Sequence, residues 1–382
     1  MTKALLPTGC YDSLPPYARQ ESEISHTLLS IFESFGYEQV SPPLLEYSDS
    51  LLSGRGSALS SQVFRVMDST AHKVMGIRAD ITLQIARIAM TRLSHAPRPL
   101  RLCYNGLVLR MQGEHLRKNR QLCQTGIELI GASSAEADAE VIFIATEALK
   151  KIGISNISID LNLPGIVGAL LATEKLNEEQ LQVLLNAISH KDISAINNLS
   201  FSYRDTLIGL LQSAGAAETA LAAIERLDLP DSARRGCSEL RQVVEILRKR
   251  NNPDWTITID ATENRGTGYH SGISFSIFAE GAACEVGRGG RYKIQGENSK
   301  TDSEATGFTL YVETLLDILP KIEPSKRVLV SGGIGDNTAS ELRNDNFVII
   351  YALSEYGICA NEAKRLGCGY IYKDGEVLEV TG

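Results

Sequence analysis

At 382 residues the chain is long for a single hydrophobic core, so two or three domains are expected. Its make-up, 43% apolar and 22% charged, is ordinary for a globular protein, and a formal net charge of −8 argues against tRNA or DNA as the main partner. No apolar run approaches the roughly 20 residues needed to cross a bilayer, and the first residues lack a signal peptide's apolar core. The seven cysteines (Cys10, Cys103, Cys123, Cys237, Cys284, Cys359, Cys368) never fall as Cys-x-x-Cys. Reduced thiols in the cytoplasm are therefore expected, with no zinc site and no disulfide frame.

Pro15 and Pro16 precede a helical stretch in which Ile24, Leu28, Ile31 and Phe35 predict one apolar face. Gly36 stops it, and residues 37–40 begin an extended segment ending in Ser41-Pro42-Pro43. Residues 63–67 and 73–77 read as short strands around a polar turn. Next comes Gly76-Ile77-Arg78-Ala79-Asp80-Ile81-Thr82, then a helix carrying Ile85, Ile88 and Ala89. By position alone, Asp80 is equally well explained as a helix N-cap or as an acid facing a ligand.

Residues 100–131 read as strand, loop, strand. Leu100, Leu102, Leu107 and Leu109 lie on one side of the loop, and Ile127, Leu129 and Ile130 on the other. The loop, 111–120, carries His115, Arg117, Lys118 and Arg120. It is either a solvated connection or a tip that reaches an anion. Gln124, Gly126 and Glu128 share one strand face, an arrangement suited to a small cationic ligand lying across the sheet.

A helix opened by Asp138-Ala139-Glu140-Val141 and a strand at 157–161 follow. From 163 to 250 Ala and Leu dominate, with amphipathic stretches at 178–188, 203–214 and 237–249 and no residue of evident chemistry. A strand at 256–260 leads to Asn264-Arg265-Gly266-Thr267-Gly268-Tyr269-His270, then to Gly287-Arg288-Gly289-Gly290-Arg291-Tyr292 and Gly307-Phe308 through Glu313-Thr314. Beyond a linker at 320–326, strands at 327–331, 347–353 and 369–372 and a helix at 338–343 predict a small α/β unit. Gly332-Gly333-Ile334-Gly335 lacks the Lys-Ser/Thr of a P-loop and the full dinucleotide fingerprint, so it reads as a turn.

These segments resemble the class II aminoacyl-tRNA synthetases, histidyl-tRNA synthetase in particular, over most of residues 5–320. Phe35-Gly36-Tyr37 with Pro43-Leu44-Leu45-Glu46 is similar to motif 1, which forms that family's dimer interface. The hairpin is similar to motif 2. Arg110 stands at its arginine, Met111-Gln112 replaces His-Glu, and Gln124 and Glu128 match the second strand. Asp80 and Thr82 stand at the acid and threonine that hold the α-ammonium of histidine in that family. Arg265, Gly266 and Tyr269 match part of Arg-Gly-Leu-Asp-Tyr-Tyr, with Gly268 for the aspartate and His270 for the second tyrosine. Gly289-Gly290-Arg291-Tyr292 matches Gly-Gly-Arg-Tyr, whose glycines let the backbone approach the ligand. Thr314 occupies the site of the motif 3 arginine that grips ATP.

The resemblance implies an α+β fold, a synthetase-like core with a mainly antiparallel sheet flanked by helices. Residues 1–162 and 254–320 would form that core, 163–253 a mostly helical insertion, and 321–382 a small C-terminal α/β domain. It implies a histidine pocket in which Glu128 and His270 address the imidazole, Asp80, Thr82 and Gln124 the ammonium, and Arg265 the carboxylate. Arg110 and Tyr269 belong to the same pocket, with Gly289 and Gly290 lining it.

Three functions compete. An active histidyl-tRNA synthetase needs cations on a triphosphate, each charge-assisted hydrogen bond being worth roughly 1.5–3 kcal/mol, and Thr314 supplies none. The sequence is more similar to a silent paralogue family, the regulatory subunits of ATP phosphoribosyltransferase. That family implies no catalysis and no cofactor of its own. It implies a short catalytic subunit as partner in a hetero-octamer, a homodimer through motif 1, and L-histidine as effector. A synthetase-like protein with another small-molecule or scaffolding role is the third reading.

Overall fold

The computed structural model describes residues 5–52, 56, 59–113, 116–172, 174, 176–250, 255–263, 270–294, 302–353 and 358–380. The chain divides into two units, Met1–Pro320 and Lys321–Gly382.

In the first unit α1 (Tyr17–Ser34) buries Gln20, Ile24, Leu28 and Phe32, a stripe at every fourth residue. The face expected from the sequence ended on Ile31 and Phe35 instead. Phe35 lies past the last turn, as the C-cap, and is exposed. Phe32 takes the core position and meets Phe308 edge to face at 5.5 Å. Gly36, at φ +81°, turns the chain there, a conformation few other residues adopt without strain.

β1 (Glu38–Gln39) follows, then a three-stranded sheet of β2 (Leu45–Tyr47), β3 (Phe64–Asp68) and β4 (Lys73–Ile77) in the order β2-β4-β3. The short helix α2 (Ser48–Leu51) separates β2 from β3, and α3 (Thr82–Met90) follows β4. β5 (Leu100–Leu109) and β6 (Gln121–Ile130) pair along their whole length, Leu100 opposite Ile130 and Leu109 opposite Gln121. α4 (Ala135–Lys151) starts three residues earlier than expected, because Ser134 caps it by accepting the Ala137 amide. Asp138 therefore lies in its first turn, buried.

After β7 (Ile157–Asn162) come α5 (Gly165–Leu171), α6 (Glu178–Ser189), α7 (Ile193–Asn197), α8 (Arg204–Gln212), β8 (Gly215–Ala216), α9 (Ala217–Ile224) and α10 (Asp231–Lys249). β9 (Trp255–Ile259), β10 (His270–Ala279), β11 (Gly287–Ile294), β12 (Ser303–Tyr311) and α11 (Val312–Ile318) complete the unit. Nine strands form one sheet in the order β1-β5-β6-β12-β11-β10-β7-β9-β8, antiparallel except for the β1–β5 and β7–β9 pairs. β8 comes from the helical region, which shares a single hydrophobic core with the sheet through residues such as Leu184, Leu207 and Val243.

The central strand β6 is buried on both faces. Cys123, Ile127 and Leu129 point into the core with α1 and α4, while Leu122 and Ile130 join Ile81, Ile85, Tyr104, Tyr292 and Tyr311 on the opposite side. On the α4 side Arg291 of β11 pairs with Asp138 at 2.7 Å and Glu239 of α10 at 2.8 Å, tying sheet to helices. Among the described residues no helix is long and apolar enough to cross a membrane.

In the second unit β13 (Arg327–Ser331), β14 (Val348–Ala352) and β15 (Tyr370–Lys373) are parallel, and β16 (Glu376–Glu379) adds antiparallel to β15. α12 (Asp336–Asn344) and α13 (Ala360–Arg365) connect them. Gly332-Gly333 is a turn, closed by the Ile334 amide donating to the Ser331 carbonyl at 3.1 Å.

Candidate functional site

The sheet face opposite α1 and α4 carries the polar residues of β6. Antiparallel register places residues of neighbouring strands on the same face as Gln124, Gly126 and Glu128. Thr309 lies opposite Gly126, Gly307 opposite Glu128, and Gly290 opposite Gly307. On the other side Tyr104 lies opposite Gly126.

Gln124 is fully buried and holds the start of α3. Its Oε1 accepts the Ile81 amide at 3.0 Å, and its Nε2 donates to Asp80 Oδ2 at 2.9 Å. Asp80 Oδ1 accepts the Thr82 amide at 2.9 Å. Asp80 is therefore not the N-cap of α3, a position that Ile81 holds; one of its oxygens braces the Thr82 amide at the helix start, and the other faces Gln124 on the sheet.

Glu128 lies over the neighbouring strand, where only glycine leaves it room: a Cβ at Gly307 would come within 2.1 Å of Glu128 Oε2. Tyr292 Oη donates to the same oxygen at 2.9 Å. Burial pushes the Glu128 carboxyl up to about 8, the nearby Asp80 charge adds to the rise, and the hydrogen bonds from Tyr292 and Thr82 oppose it. Tyr104, wholly buried, shares hydrogen bonds with Thr309 Oγ1 (2.8 Å) and Thr82 Oγ1 (3.4 Å). The outcome is a desolvated acid, Glu128, and a half-buried carboxyl, Asp80, both tied to Thr82. Such a site offers a proton donor or acceptor at one end and negative charge at the other.

Of the other expected site residues, Arg110 is buried, donates from Nε to the Ala79 carbonyl at 3.4 Å and lies 5.9 Å from the Tyr311 ring centre. Gly290 is on the site face. Gly289 is turned to the other layer, where a Cβ would strike Phe275 and Phe308. The backbone of His270 opens β10 in register with Tyr292. Arg265 and Tyr269 lie outside the described residues.

The cationic loop departs from the picture of a tip reaching outward. Arg117 turns in and is almost fully buried. Its guanidinium stacks 3.7 Å from the Tyr311 ring centre, and it donates to the Glu285 carbonyl at 2.7 Å and to Thr314 Oγ1 at 3.4 Å. Arg120 lies over the Phe64 ring, and His115 is outside the described residues. Sequence reasoning missed Tyr104, and it named Arg117 only as one of the loop cations, without foreseeing its burial. Strand alternation from Gln124 and Gly126 to the facing strand was the available signal for Tyr104, whereas none existed for Arg117.

A mainly antiparallel sheet with this hairpin and these glycine rows defines a class II aminoacyl-tRNA synthetase core of the histidyl type. A family profile described as histidyl-tRNA synthetase matches residues 9–315. A solved chain from Bacillus halodurans C, described as an ATP phosphoribosyltransferase regulatory subunit/histidyl-tRNA synthetase, superposes with a TM-score of 0.83. It is 24% identical and covers 97% of this chain and 98% of its own. Histidyl-tRNA synthetase from Nostoc sp. PCC 7120 gives 0.77 at 19% identity, covering 100% and 97%.

Among full-length relatives, one from Paramagnetospirillum magneticum is 43% identical over 99% of this chain and 98% of its own length. Another, from Rhodospirillum centenum, is 40% identical over 99% and 96%. Both are named ATP phosphoribosyltransferase regulatory subunit. The chain belongs to this family of regulatory subunits, built on the histidyl-tRNA synthetase fold.

Proposed function

We propose that this chain is the histidine-sensing, non-catalytic subunit of a cytoplasmic ATP phosphoribosyltransferase. Its partner is a short catalytic subunit, which condenses ATP with phosphoribosyl pyrophosphate and releases pyrophosphate at the first step of histidine biosynthesis. Four chains of each kind form the assembly. Homodimers form through the motif 1 region, a reading supported by Leu44, Leu45 and Tyr47, large apolar residues exposed on the single chain.

The observation that carries the reading is the array of Asp80, Gln124 and Glu128 on one face. Asp80, with Thr82 and Gln124, receives the ammonium of L-histidine. An ionised carboxylate has lone pairs beyond those used by Gln124 and Thr82. Glu128, its carboxyl raised by burial to about 8, donates to the neutral imidazole, whose ordinary pKa is about 6.5. Arg265 neutralises the ligand carboxylate, Arg110 closes the same space, and Tyr269 and His270 border the ring. Histidine inhibits because two states of the assembly bind it with different affinity.

Co-purification with the catalytic chain and an activity assay with and without this protein test the assembly. Calorimetry with L-histidine tests the sensor. Binding to neither the isolated chain nor the complex removes the sensing role.

A further inference from the structure

Arg117 belongs to none of the roles above, yet among the described residues of its loop it is the most enclosed cation. Its contacts span three elements of the sheet layer: the β10–β11 connection through the Glu285 carbonyl, β12 through the Tyr311 ring, and α11 through Thr314. The Glu285 carboxylate, 3.8 Å away, offsets its charge. A buried guanidinium with this many partners fixes the backbone that carries it.

That backbone is the return arm, residues 116–120, and it is held from outside as well. The Arg120 amide donates to the Gly9 carbonyl at 2.8 Å, and Arg120 Nη1 donates to the Thr8 carbonyl at 3.2 Å. Gly9, at φ +78°, is required here, since a Cβ would meet Arg120 Cγ at 2.8 Å. The Arg110 amide donates to the Arg120 carbonyl at 2.8 Å, closing the hairpin. On the outer side Leu116 and Lys118 are exposed.

Tyr311, on which Arg117 stacks, is the register partner of Gln124. Gln124 is the residue that holds Asp80 and the start of α3. A single cross-strand step therefore separates the pocket from the anchor of an arm with a solvent-facing side. We propose that Arg117 is the positioning residue that couples pocket occupancy to the 116–120 arm, through Gln124 and Tyr311. This rests on the histidine-binding reading and names the route by which that site reaches the surface. The ligand tightens Gln124 against Tyr311, the Arg117 stack becomes more persistent, and the arm follows.

Hydrogen exchange by mass spectrometry on the full chain, with and without saturating L-histidine, tests the proposal in the wild type, Arg117→Ala, Arg117→Lys and Tyr311→Phe. In the wild type, histidine slows exchange of the 117–120 amides by about tenfold, within the span of typical allosteric couplings. In Arg117→Ala, histidine still binds and still protects the start of α3, but protection no longer reaches 117–120. Arg117→Lys keeps the charge without the planar stack and behaves like Arg117→Ala. Tyr311→Phe keeps the ring and behaves like the wild type.

Protection of 117–120 that survives in Arg117→Ala overturns the proposal, as does histidine binding that protects α3 in the wild type without reaching the arm. Absence of any histidine binding to the wild type is a different result. It removes the pocket reading, and the coupling with it, before any variant is compared.

Discussion

Gln124 Nε2 donates to Asp80 Oδ2 at 2.9 Å, and this bond joins the middle of the sheet to the helix that follows β4. The same side chain accepts the Ile81 amide, so one buried amide satisfies two groups of the segment that opens α3. Gln124→Ala leaves the Ile81 amide without its partner. The expected cost is about 1–3 kcal/mol of stability. Urea unfolding measures that cost, and calorimetry should show a parallel loss of histidine affinity.

Glu128 supplies a pH signature. Its folded pKa, about 8, lies above the ordinary value of 4.5, so between those values the folded chain holds a proton that the unfolded chain has released. Stability contributed by the neutral acid is complete below the lower value and is lost as pH rises towards 8. Glu313, raised by burial to about 7, acts in the same direction. Glu128→Gln mimics the protonated form. Urea midpoints compared at mildly acid and mildly alkaline pH should fall less steeply in the variant than in the wild type.

Gly307→Ala probes the space beneath the acid. The new Cβ would lie 2.1 Å from Glu128 Oε2 and 2.4 Å from the Ile127 carbonyl oxygen, and a backbone atom in a central strand has little room to give. Overpacking of this kind costs about 1–3 kcal/mol or more. Histidine binding should fall by a larger factor than in an alanine variant of the half-buried Glu304 on the same strand, as calorimetry would show.

On the opposite face, Arg291→Ala strands Asp138 inside the protein. Burial already raises the Asp138 carboxyl despite the arginine beside it. Removing one partner of a buried pair costs about 3–5 kcal/mol. Thermal and urea unfolding should both register the loss. Asp138→Asn in the same background should recover part of it by removing the stranded charge.

Legibility in the sequence followed how local each cause was. The β5–β6 hairpin was readable as strand, loop, strand, because two apolar runs flank a polar loop, whereas its cross-strand register was not. The helix α1 was readable as a helix but not in its phase. Phe32 and Phe35 both continue an apolar face, and which one is buried depends on Phe308, far away in sequence. Asp80 resisted a single reading because its two oxygens do different things. Arg117 was beyond reach. Its partners Glu285, Tyr311 and Thr314 lie more than 160 residues along the chain, and nothing in a loop's composition reveals which cation turns inward.

The central claim is that the Asp80–Gln124–Glu128 face senses histidine on behalf of a catalytic partner. It is tested most directly by assaying the reconstituted assembly with wild-type chain and with Glu128→Ala across a histidine titration. Both chains should activate the catalytic subunit, and only the wild type should confer inhibition at low histidine. Equal inhibition with both chains, or no activation by the wild type, would contradict it.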